Sequence, residues 1–237
     1  PSGTVTFLFT DIEGSTKLAQ QYPEAMPTLL RRHQEILEKA IKVHNGFTFH
    51  SAGDSFAVAF HNASDALNAA LDSQRALHQD AWSPVPIKVR MGIHTGVADV
   101  DQKDYRGYLA LSSVQRIMSA GHGGQVLLSE TTAALVRDEL PPGVSLKGLG
   151  RHLLKDIHRP ERISQLVIEG LPAEFPPLTS LEMLPPESSR PPRQVGTCPF
   201  KGLSAFQEAD AQFYFGRETF ISVLEQDVTT RKLVAVI

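Results

Sequence analysis

Apolar and polar residues alternate from Thr4 to Phe9, and the alternation ends at an acid, Asp11. A period of two predicts a half-buried strand. The small residues Gly14, Ser15 and Thr16 follow, and they predict a turn that starts a helix. The strand therefore ends on a carboxylate beside the free N–H groups of a helix start. Hard divalent cations and phosphate oxygens both suit such a corner, although a single acid there is more often a helix cap or turn former.

A second carboxylate is predicted at the tip of a hairpin. Aromatic and β-branched residues in 47–51 and 56–60 flank the small, polar run Ala52-Gly53-Asp54-Ser55, which predicts two short strands joined by a turn. If this hairpin pairs beside the first strand, Asp54 lies next to Asp11. Two such acids could hold a pair of Mg²⁺ ions about 3.5–4 Å apart. Taken alone, Gly53-Asp54 is more typical of an ordinary hairpin turn.

The order of the predicted elements supports this pairing. Helical spacing recurs at 29–41 and 64–77, and alternation returns at 87–94. The order β-α-β-β-α-β is typical of a ferredoxin-like fold, an α+β antiparallel sheet with helices on one face. Further elements are predicted as a helix at 109–120, a strand at 125–128, a helix opened by Ser129, and strands at 152–155 and 163–168.

The character of the chain changes after residue 170. Residues 171–197 are rich in proline and lack periodicity, which predicts an extended, semi-rigid linker. Residues 198–237 contain a helical stretch and an apolar strand, but too little apolar surface to bury a core alone. We therefore expect a domain at 1–170, a linker at 171–197 and a fragment of another module at 198–237.

Composition narrows the classes of partner. The net charge is −3 with interspersed signs, so no basic stripe is present for nucleic acid. No apolar run approaches the roughly 18 residues that a membrane helix needs. The single cysteine, Cys198, excludes an intrachain disulfide and fits a reducing compartment. Its own expected role is that of a small buried apolar residue. No basic, apolar signal segment opens the sequence. These features predict a cytoplasmic protein without membrane or nucleic-acid partners.

Several motifs in this order resemble the catalytic domain of bacterial class III adenylate and guanylate cyclases. They are Phe9-Thr10-Asp11-Ile12-Glu13-Gly14-Ser15-Thr16, Gly53-Asp54, Gly92-Ile93-His94-Thr95-Gly96 and Asp104-Tyr105-Arg106-Gly107. The resemblance covers about residues 3–170. The tail, at 198–203 and 213–218, resembles the entrance to a signal-transduction P-loop ATPase of the STAND type. No G-x-x-x-x-G-K-[ST] occurs in the 237 residues, so we do not expect this fragment alone to bind ATP.

The resemblance implies an adenylate cyclase. The ribose 3′-OH of ATP would attack the α-phosphate, giving 3′,5′-cyclic AMP and pyrophosphate. Asp11, Asp54 and the carbonyl of Ile12 would hold two Mg²⁺ or Mn²⁺ ions, one lowering the pKa of the attacking hydroxyl and the other neutralising the triphosphate. The phosphates would meet the N–H groups of the turn, namely those of Glu13, Gly14, Ser15 and Thr16.

Two basic residues complete the site that the resemblance implies. Arg116 and Lys155 would neutralise charge on the transferring and leaving phosphates. For each, an exposed cation in solvent is the alternative. The segment between Asp104 and Arg116 is one residue longer than in the family. The family's asparagine position corresponds to Leu111 when counted forward from Asp104 and to Ser112 when counted back from Arg116. Ser112 offers one donor where an amide offers two and a carbonyl.

Base selection differs from the family as well. His50 stands where the family's ATP-specific members carry a lysine, whereas Asp104 fits their aspartate. A donor and an acceptor of this kind favour ATP over GTP, although His50 is equally compatible with a strand residue that binds nothing. We expect His94 and His122 to be structural, because no second ligand at metal spacing accompanies either.

The resemblance also implies a twofold homodimer, because the family's metal carboxylates and the arginine reach one substrate from opposite subunits. We expect the helix at 109–120 to line the interface through Leu109, Leu111, Val114 and Ile117, with packing on the domain's own sheet as the alternative. Two functions stay open. One is an active cyclase that responds to its appended ATPase module, and the other is a weak or inactive cyclase fold that binds nucleotide or dimerises.

Overall fold

The structure is a computed structural model that describes residues 1–101, 104–155, 160–179 and 182–184, with the backbone alone described at 100, 101, 104 and 182–184. The chain divides into two compact units, Pro1–Ser189 and Arg190–Ile237, and every described residue belongs to the first. The predicted fragment at 198–237, including Cys198, therefore lies outside the described residues. No helix in the described part is long and apolar enough to cross a bilayer.

The described elements confirm the predicted β-α-β-β-α-β order, with one additional short helix after the first strand. They are β1 (Gly3–Ile12), α1 (Ser15–Gln21), α2 (Met26–Val43), β2 (Phe47–Ala52), β3 (Ser55–Phe60), α3 (Ala63–Gln79), β4 (Val89–Asp101), β5 (Asp104–Arg106), α4 (Tyr108–Ala120), β6 (Val126–Ser129), α5 (Glu130–Val136), β7 (Val144–Leu153), β8 (Glu161–Ile168) and β9 (Glu182–Leu184). The Ser129 side chain caps α5 by accepting from the N–H of Thr132, as its sequence position predicts.

Strand β1 lies inside the sheet, between the hairpin and β4. The strand order is β2-β3-β1-β4-β6-β8-β7-β9, and β5 pairs with β4. Strand β1 runs antiparallel to both neighbours, with Thr10 opposite Phe56 on β3 and Asp11 opposite Arg90 on β4. The predicted position of the hairpin beside β1 is confirmed. The sheet is mixed, because β4 and β6 are parallel and are joined through α4.

The two faces of the sheet carry separate apolar clusters. On one face Leu8 and Ile12 pack with residues of α2, α3 and α5. On the other face Val5 and Phe7 pack with Val114 of α4. Helices α2 and α3 of the predicted β-α-β-β-α-β core thus share one face, and α4, which follows that core, packs on the other. Apolar residues of β1 lie on both faces of the strand, so helices can pack on both faces of the sheet.

Helix α4 can lie close to β4 because the motif around Ile93 supplies two glycines. A Cβ added at Gly92 would lie 2.6 Å from the backbone nitrogen of Met118, and one added at Gly96 would lie 2.9 Å from the Cβ of Ala110. Any side chain at these positions would displace the helix. Two glycines of the motif that suggested a cyclase thus serve helix packing.

The region after α5 contains structure that the sequence pattern did not predict. Strand β7 begins at Val144 instead of residue 152, and a register shift between Gly148 and Gly150 interrupts the alternation that would have revealed it. Residues 171–179, expected to be an extended linker, lie against the domain, and β9 pairs with β7. Proline prevents regular structure but leaves carbonyl groups free to accept hydrogen bonds, so a proline-rich stretch can still pack on a surface.

Candidate active site

The carboxyl groups of Asp11 and Asp54 lie beside one another at the end of the central strands. Asp11 is the penultimate residue of β1, and Asp54 occupies the turn between β2 and β3. The hairpin tip is held by α2, because Gln34 Nε2 donates to the carbonyl oxygen of Gly53 at 3.2 Å. Gly53 has a φ of 62°, which favours glycine at this turn. The convergence of the two acids, inferred from topology, is present in the structure.

Each carboxyl group alters the ionisation of the other. Burial raises the pKa of Asp11 above its usual range, and Asp54 adds to this, while the guanidinium of Arg90 opposes it. Burial also disfavours charge on Asp54, but the Asp11 carboxyl, the Ser15 side chain and the backbone of Ile12 together hold the pKa of Asp54 below its usual range. Two acids this close favour sharing a proton over carrying two full charges.

One oxygen of this pair lacks a partner. Asp54 Oδ2 is buried and has no hydrogen-bond partner among the described residues. A buried, unsatisfied carboxylate oxygen is costly, so the site fits a cation. Two carboxylates and the main-chain carbonyl of Ile12 are oxygen ligands of the kind that Mg²⁺ and Mn²⁺ prefer. No three His, Cys, Asp or Glu side chains of the described residues group as metal ligands, so nucleotide oxygens or water would complete the shell.

Arg90 is a member of this site that sequence reasoning missed. Its Nη2 donates to Asp11 Oδ2 at 2.5 Å, while its Nε is buried without a partner in the described part of the chain. Its position two residues before Gly92 places both on one face of β4. Its alignment with Asp11, however, depends on the register between β1 and β4, which the sequence does not specify.

The turn after β1 departs from its predicted role at one residue. The N–H of Glu13 donates to the carbonyl oxygen of Lys88 at 2.9 Å, so it is not available to a phosphate, and the prediction for Glu13 is corrected. The carboxylate of Glu13 instead faces His122, with Oε1 3.7 Å from Nδ1. Gly14, with a φ of 69°, precedes α1, and Ser15 begins it. The N–H groups of residues 14–16 keep the predicted position.

Helix α4 carries the other catalytic candidates. Ser112 and Arg116 are both half-buried and lie four residues apart, hence on one side of the helix. Val114 and Ile117 are fully buried in the domain's own core, so their expected place at a dimer interface is wrong. Leu109 is 81% exposed and Leu111 is half-buried. Lys155 is exposed and follows β7 directly after Leu154.

Comparison with known proteins decides the family. Residues 1–163 match the profile of the adenylate and guanylate cyclase catalytic domain. The chain belongs to this cyclase family. The predicted resemblance is therefore confirmed for the domain that carries Asp11, Asp54 and α4.

Relatives and solved structures agree with this assignment. An uncharacterized protein of Mycobacterium tuberculosis (strain ATCC 25618 / H37Rv) is 40% identical over 187 residues, or 78% of this chain, and the chain spans only 63% of that relative's length. An adenylate cyclase of Podospora anserina is 29% identical over 228 residues, covering 72% of this chain and 10% of the relative. A solved adenylate cyclase of Trypanosoma brucei has a TM-score of 0.66 at 25% identity, covering 77% and 96% of the two chains. An adenylate/guanylate cyclase/hydrolase from Silicibacter pomeroyi has a TM-score of 0.60 at 26% identity, covering 70% and 97%.

The tail has its own match. Residues 199–237 match the family described as novel STAND NTPase 1, which confirms the resemblance noted for this region. The cyclase domain is thus followed by residues that are similar to part of this NTPase family.

The base-selecting candidates of the cyclase domain lie on β2 and β5, two strands that are not paired with each other. His50 is exposed on β2, opposite Ala57 of β3. Asp104 begins β5, and its backbone pairs with Asp101 of β4. The rings of Phe49 and Tyr105, which adjoin His50 and Asp104 in sequence, have centroids 4.8 Å apart. The tertiary structure therefore brings the two strands together.

Two further histidines of the cyclase domain were not candidates for catalysis. His33 is buried, and His94 is half-buried. Both ring nitrogens of His33 lack a partner among the described residues, and its ring packs edge-on against Phe56 at 5.9 Å between centroids. Burial lowers the pKa of His33 to about 4, and Asp54 opposes this. Burial likewise lowers the pKa of His94 to about 4. The expectation that His94 is structural fits this burial.

Proposed function

We propose that the domain is an adenylate cyclase that converts ATP into 3′,5′-cyclic AMP and pyrophosphate. The observation that carries this proposal is the pairing of Asp11 and Asp54 around a buried oxygen with no hydrogen-bond partner in the described part of the chain. Such a pair is stable only if a proton or a cation compensates its charge. When bound, two Mg²⁺ or Mn²⁺ ions would supply Lewis-acid activation of the ribose hydroxyl and neutralise the triphosphate.

The chain's own residues would bind and orient the nucleotide. Asp11, Asp54 and the carbonyl of Ile12 would hold the ions, and the N–H groups of residues 14–16 would contact phosphate oxygens. Arg116 and Lys155 would offset the negative charge that grows on the α-phosphate and on the departing pyrophosphate. The hydroxyl of Ser112, on the same side of α4 as Arg116, would orient the ribose with fewer hydrogen bonds than an amide.

ATP is the substrate that these residues favour. His50 can donate to a ring nitrogen, and Asp104 can accept from the adenine amino group. The adjacency of β2 and β5, carried by Phe49 and Tyr105, supports a shared base pocket. The names of relatives such as the Podospora anserina adenylate cyclase support the same choice.

A homodimer would complete the site. Val97, Tyr108 and Leu109 are 74%, 84% and 81% exposed. They are close together, because a Cβ at Gly107 would lie 3.2 Å from the carbonyl oxygen of Val97. Three large apolar side chains exposed in one place favour a covering partner. We propose that a second copy covers them and that Arg116 of one copy serves the carboxylates of the other.

A second candidate function also has an observation in its favour. The guanidinium of Arg90 already binds the Asp11 carboxylate through a 2.5 Å hydrogen bond. In addition, Ser112 stands where the family carries an asparagine. Both features suit a cyclase fold that binds nucleotide weakly, or not at all, and acts by dimerising.

One assay separates the two functions. Purified protein is incubated with ATP or GTP in Mg²⁺ and then in Mn²⁺, and cyclic nucleotide is measured by chromatography. Asp11→Asn and Asp54→Asn should each lower turnover at least about 100-fold, because each removes a ligand charge without changing shape. Asp138→Asn, at an exposed position after α5, is the control. No cyclic product from the wild type under any condition would favour the second function, and undiminished turnover in Asp54→Asn would remove Asp54 from the site.

A further inference from the structure

Residues 171–179, which we call the exit segment, leave the cyclase domain toward the rest of the chain but remain bound to its surface. The N–H of Thr179 donates to the carbonyl oxygen of Ala120 at 2.9 Å. Gln165 Nε2 donates to the carbonyl oxygen of Ala173 at 2.8 Å. Leu178 packs against the apolar cluster around Ile117. Polar and apolar contacts thus anchor this stretch on the domain.

One side chain joins the exit segment to the nucleotide-binding turn. His122 Nε2 lies 3.1 Å from the carbonyl oxygen of Pro177. A carbonyl oxygen can only accept, so Nε2 carries the hydrogen. On its other side, Nδ1 of the same ring lies 3.7 Å from Glu13 Oε1. The ring of His122 therefore lies between the exit segment and a residue flanked by Ile12 and Gly14.

The ring borders a cavity of about 800 Å³ that Glu13, Lys88 and Phe175 also line, whereas the backbone beside the ring lies close to the nucleotide-binding turn. The backbone N–H of His122 donates to Gln125 Oε1 at 3.1 Å. A Cβ added at Gly123 would lie 2.6 Å from the Cβ of Lys88 and 2.9 Å from Glu13 Oε2. Lys88 in turn accepts from the N–H of Glu13 at 2.9 Å. Gly123, the residue after His122, thus lies directly against Lys88 and Glu13, so a movement of this loop toward the turn displaces Glu13.

The same part of the chain contacts two other elements of the site. Ala120, which accepts from Thr179, is the last residue of α4, the helix of Ser112 and Arg116. Farther along, β9 pairs with β7, with Glu182 opposite Leu153, two residues before Lys155. The chain leaving the domain thus contacts α4, which carries proposed site residues, and β7, which precedes Lys155.

We propose that His122 is a positioning residue that couples the exit segment to the nucleotide-binding turn. Through it, a change in the exit segment imposed by the following NTPase module would alter ATP binding at residues 11–16. This rests on the proposed nucleotide site. Coupling is reciprocal, so bound nucleotide must also stabilise the exit segment.

Kinetics provides the first test. In the 237-residue chain, His122→Ala should raise KM for ATP about 5- to 10-fold and leave kcat within about 2-fold, because it loosens binding without removing a reacting group. His122→Gln, whose amide can still donate to Pro177, should recover part of the loss. His61→Ala is the matched control, since it removes an exposed histidine that lies outside the exit segment.

A second variant protects the test against a folding defect at His122. Leu178→Ala loosens the exit segment at a different point and should raise KM similarly. The double variant should be no worse than the poorer single variant, because both interrupt one connection. A KM equal to that of the wild type in both His122→Ala and Leu178→Ala would overturn the proposal. A rise in KM that is accompanied by a comparable fall in kcat and in melting temperature would also overturn it.

Hydrogen exchange provides a readout that does not need turnover. With Mn²⁺ and the non-cyclisable analogue α,β-methylene-ATP, amide exchange at 171–179 should slow several-fold in the wild type and remain unchanged in His122→Ala, with binding checked by calorimetry. Unchanged exchange in the nucleotide-bound wild type would overturn the coupling. Binding without any cyclic product from ATP would instead contradict the proposed activity and leave the coupling measurable. Failure of the wild type to bind the analogue would overturn both.

Discussion

Arg90 Nη2 donates to Asp11 Oδ2 at 2.5 Å, so one of the two carboxylates proposed to hold metal already has a cationic partner. The ion pair is partly buried, with side chains 27% and 20% exposed. It opposes the rise in pKa that burial and Asp54 impose on Asp11. Arg90 thus helps to keep Asp11 charged but competes with a metal ion for the same oxygen.

This relationship predicts how Arg90→Gln changes metal binding. Without the guanidinium, the pKa of Asp11 rises further, so the pH at which Mn²⁺ binding is half-maximal should move upward. At a pH well above this midpoint the variant should bind Mn²⁺ more tightly, because a repelling charge is absent. Calorimetric titration across pH measures both effects. Arg32→Gln, which breaks a different Arg–Asp contact, is the control, and a midpoint that moves downward would contradict the prediction.

Because His33 is buried, we expect the folded protein to lose free energy of unfolding in mild acid. The pKa of His33 is lowered from 6.5 to about 4 in the folded state, so folding opposes protonation. The free energy of unfolding should be unaffected by His33 above pH 6.5 and fall as pH decreases toward 4, by up to about 3 kcal/mol. Urea unfolding at pH 7.5 and pH 5 should show a smaller pH dependence in His33→Leu than in the wild type.

The matched control for this experiment is His61→Leu, because His61 is exposed and its removal should leave the pH dependence unchanged. At pH 7.5, His33→Leu should be at least as stable as the wild type, since it removes two buried nitrogens that lack partners among the described residues. An unchanged pH dependence in this variant would show that another group causes the acid sensitivity.

The dimer proposal predicts complementation between two inactive chains. Asp11→Ala and Arg116→Ala should each abolish cyclase activity, whereas a mixture should recover activity, because a mixed dimer contains one intact site. Leu109→Asp should weaken dimerisation in sedimentation measurements, since it places charge in the exposed apolar patch. A mixture that stays inactive although subunits exchange would disprove the shared site.

Base recognition predicts a gain from a single change at β2. His50→Lys should increase the preference for ATP over GTP, because an ammonium donates a charge-assisted hydrogen bond to a ring nitrogen. The measurement is the ratio of kcat/KM for the two nucleotides. His61→Lys, which adds the same charge at an exposed site outside the sheet, is the control. An unchanged ratio would remove His50 from the base pocket.

Local patterns were sufficient for much of the fold. Alternation along β1, the small residues of the hairpin turn and the helical spacing of α2 and α3 each reflect a requirement of one element with its own buried side. The element order then restricted the strand neighbours of β1, which brought Asp11 to Asp54. Motif order in the first 163 residues indicated the family, which the comparison confirms.

Other features depended on tertiary contacts that no local pattern encodes. The register of β1 on β4 places Arg90 opposite Asp11, and a shift of one residue would have turned it to the other face. Val114 and Ile117 are buried because Gly92 and Gly96 allow α4 onto the sheet, although the helix pattern alone also fits an interface. The sequence by itself determined most of the elements and the two acids. Packing between distant segments decided which charge faces Asp11 and where the exit segment lies.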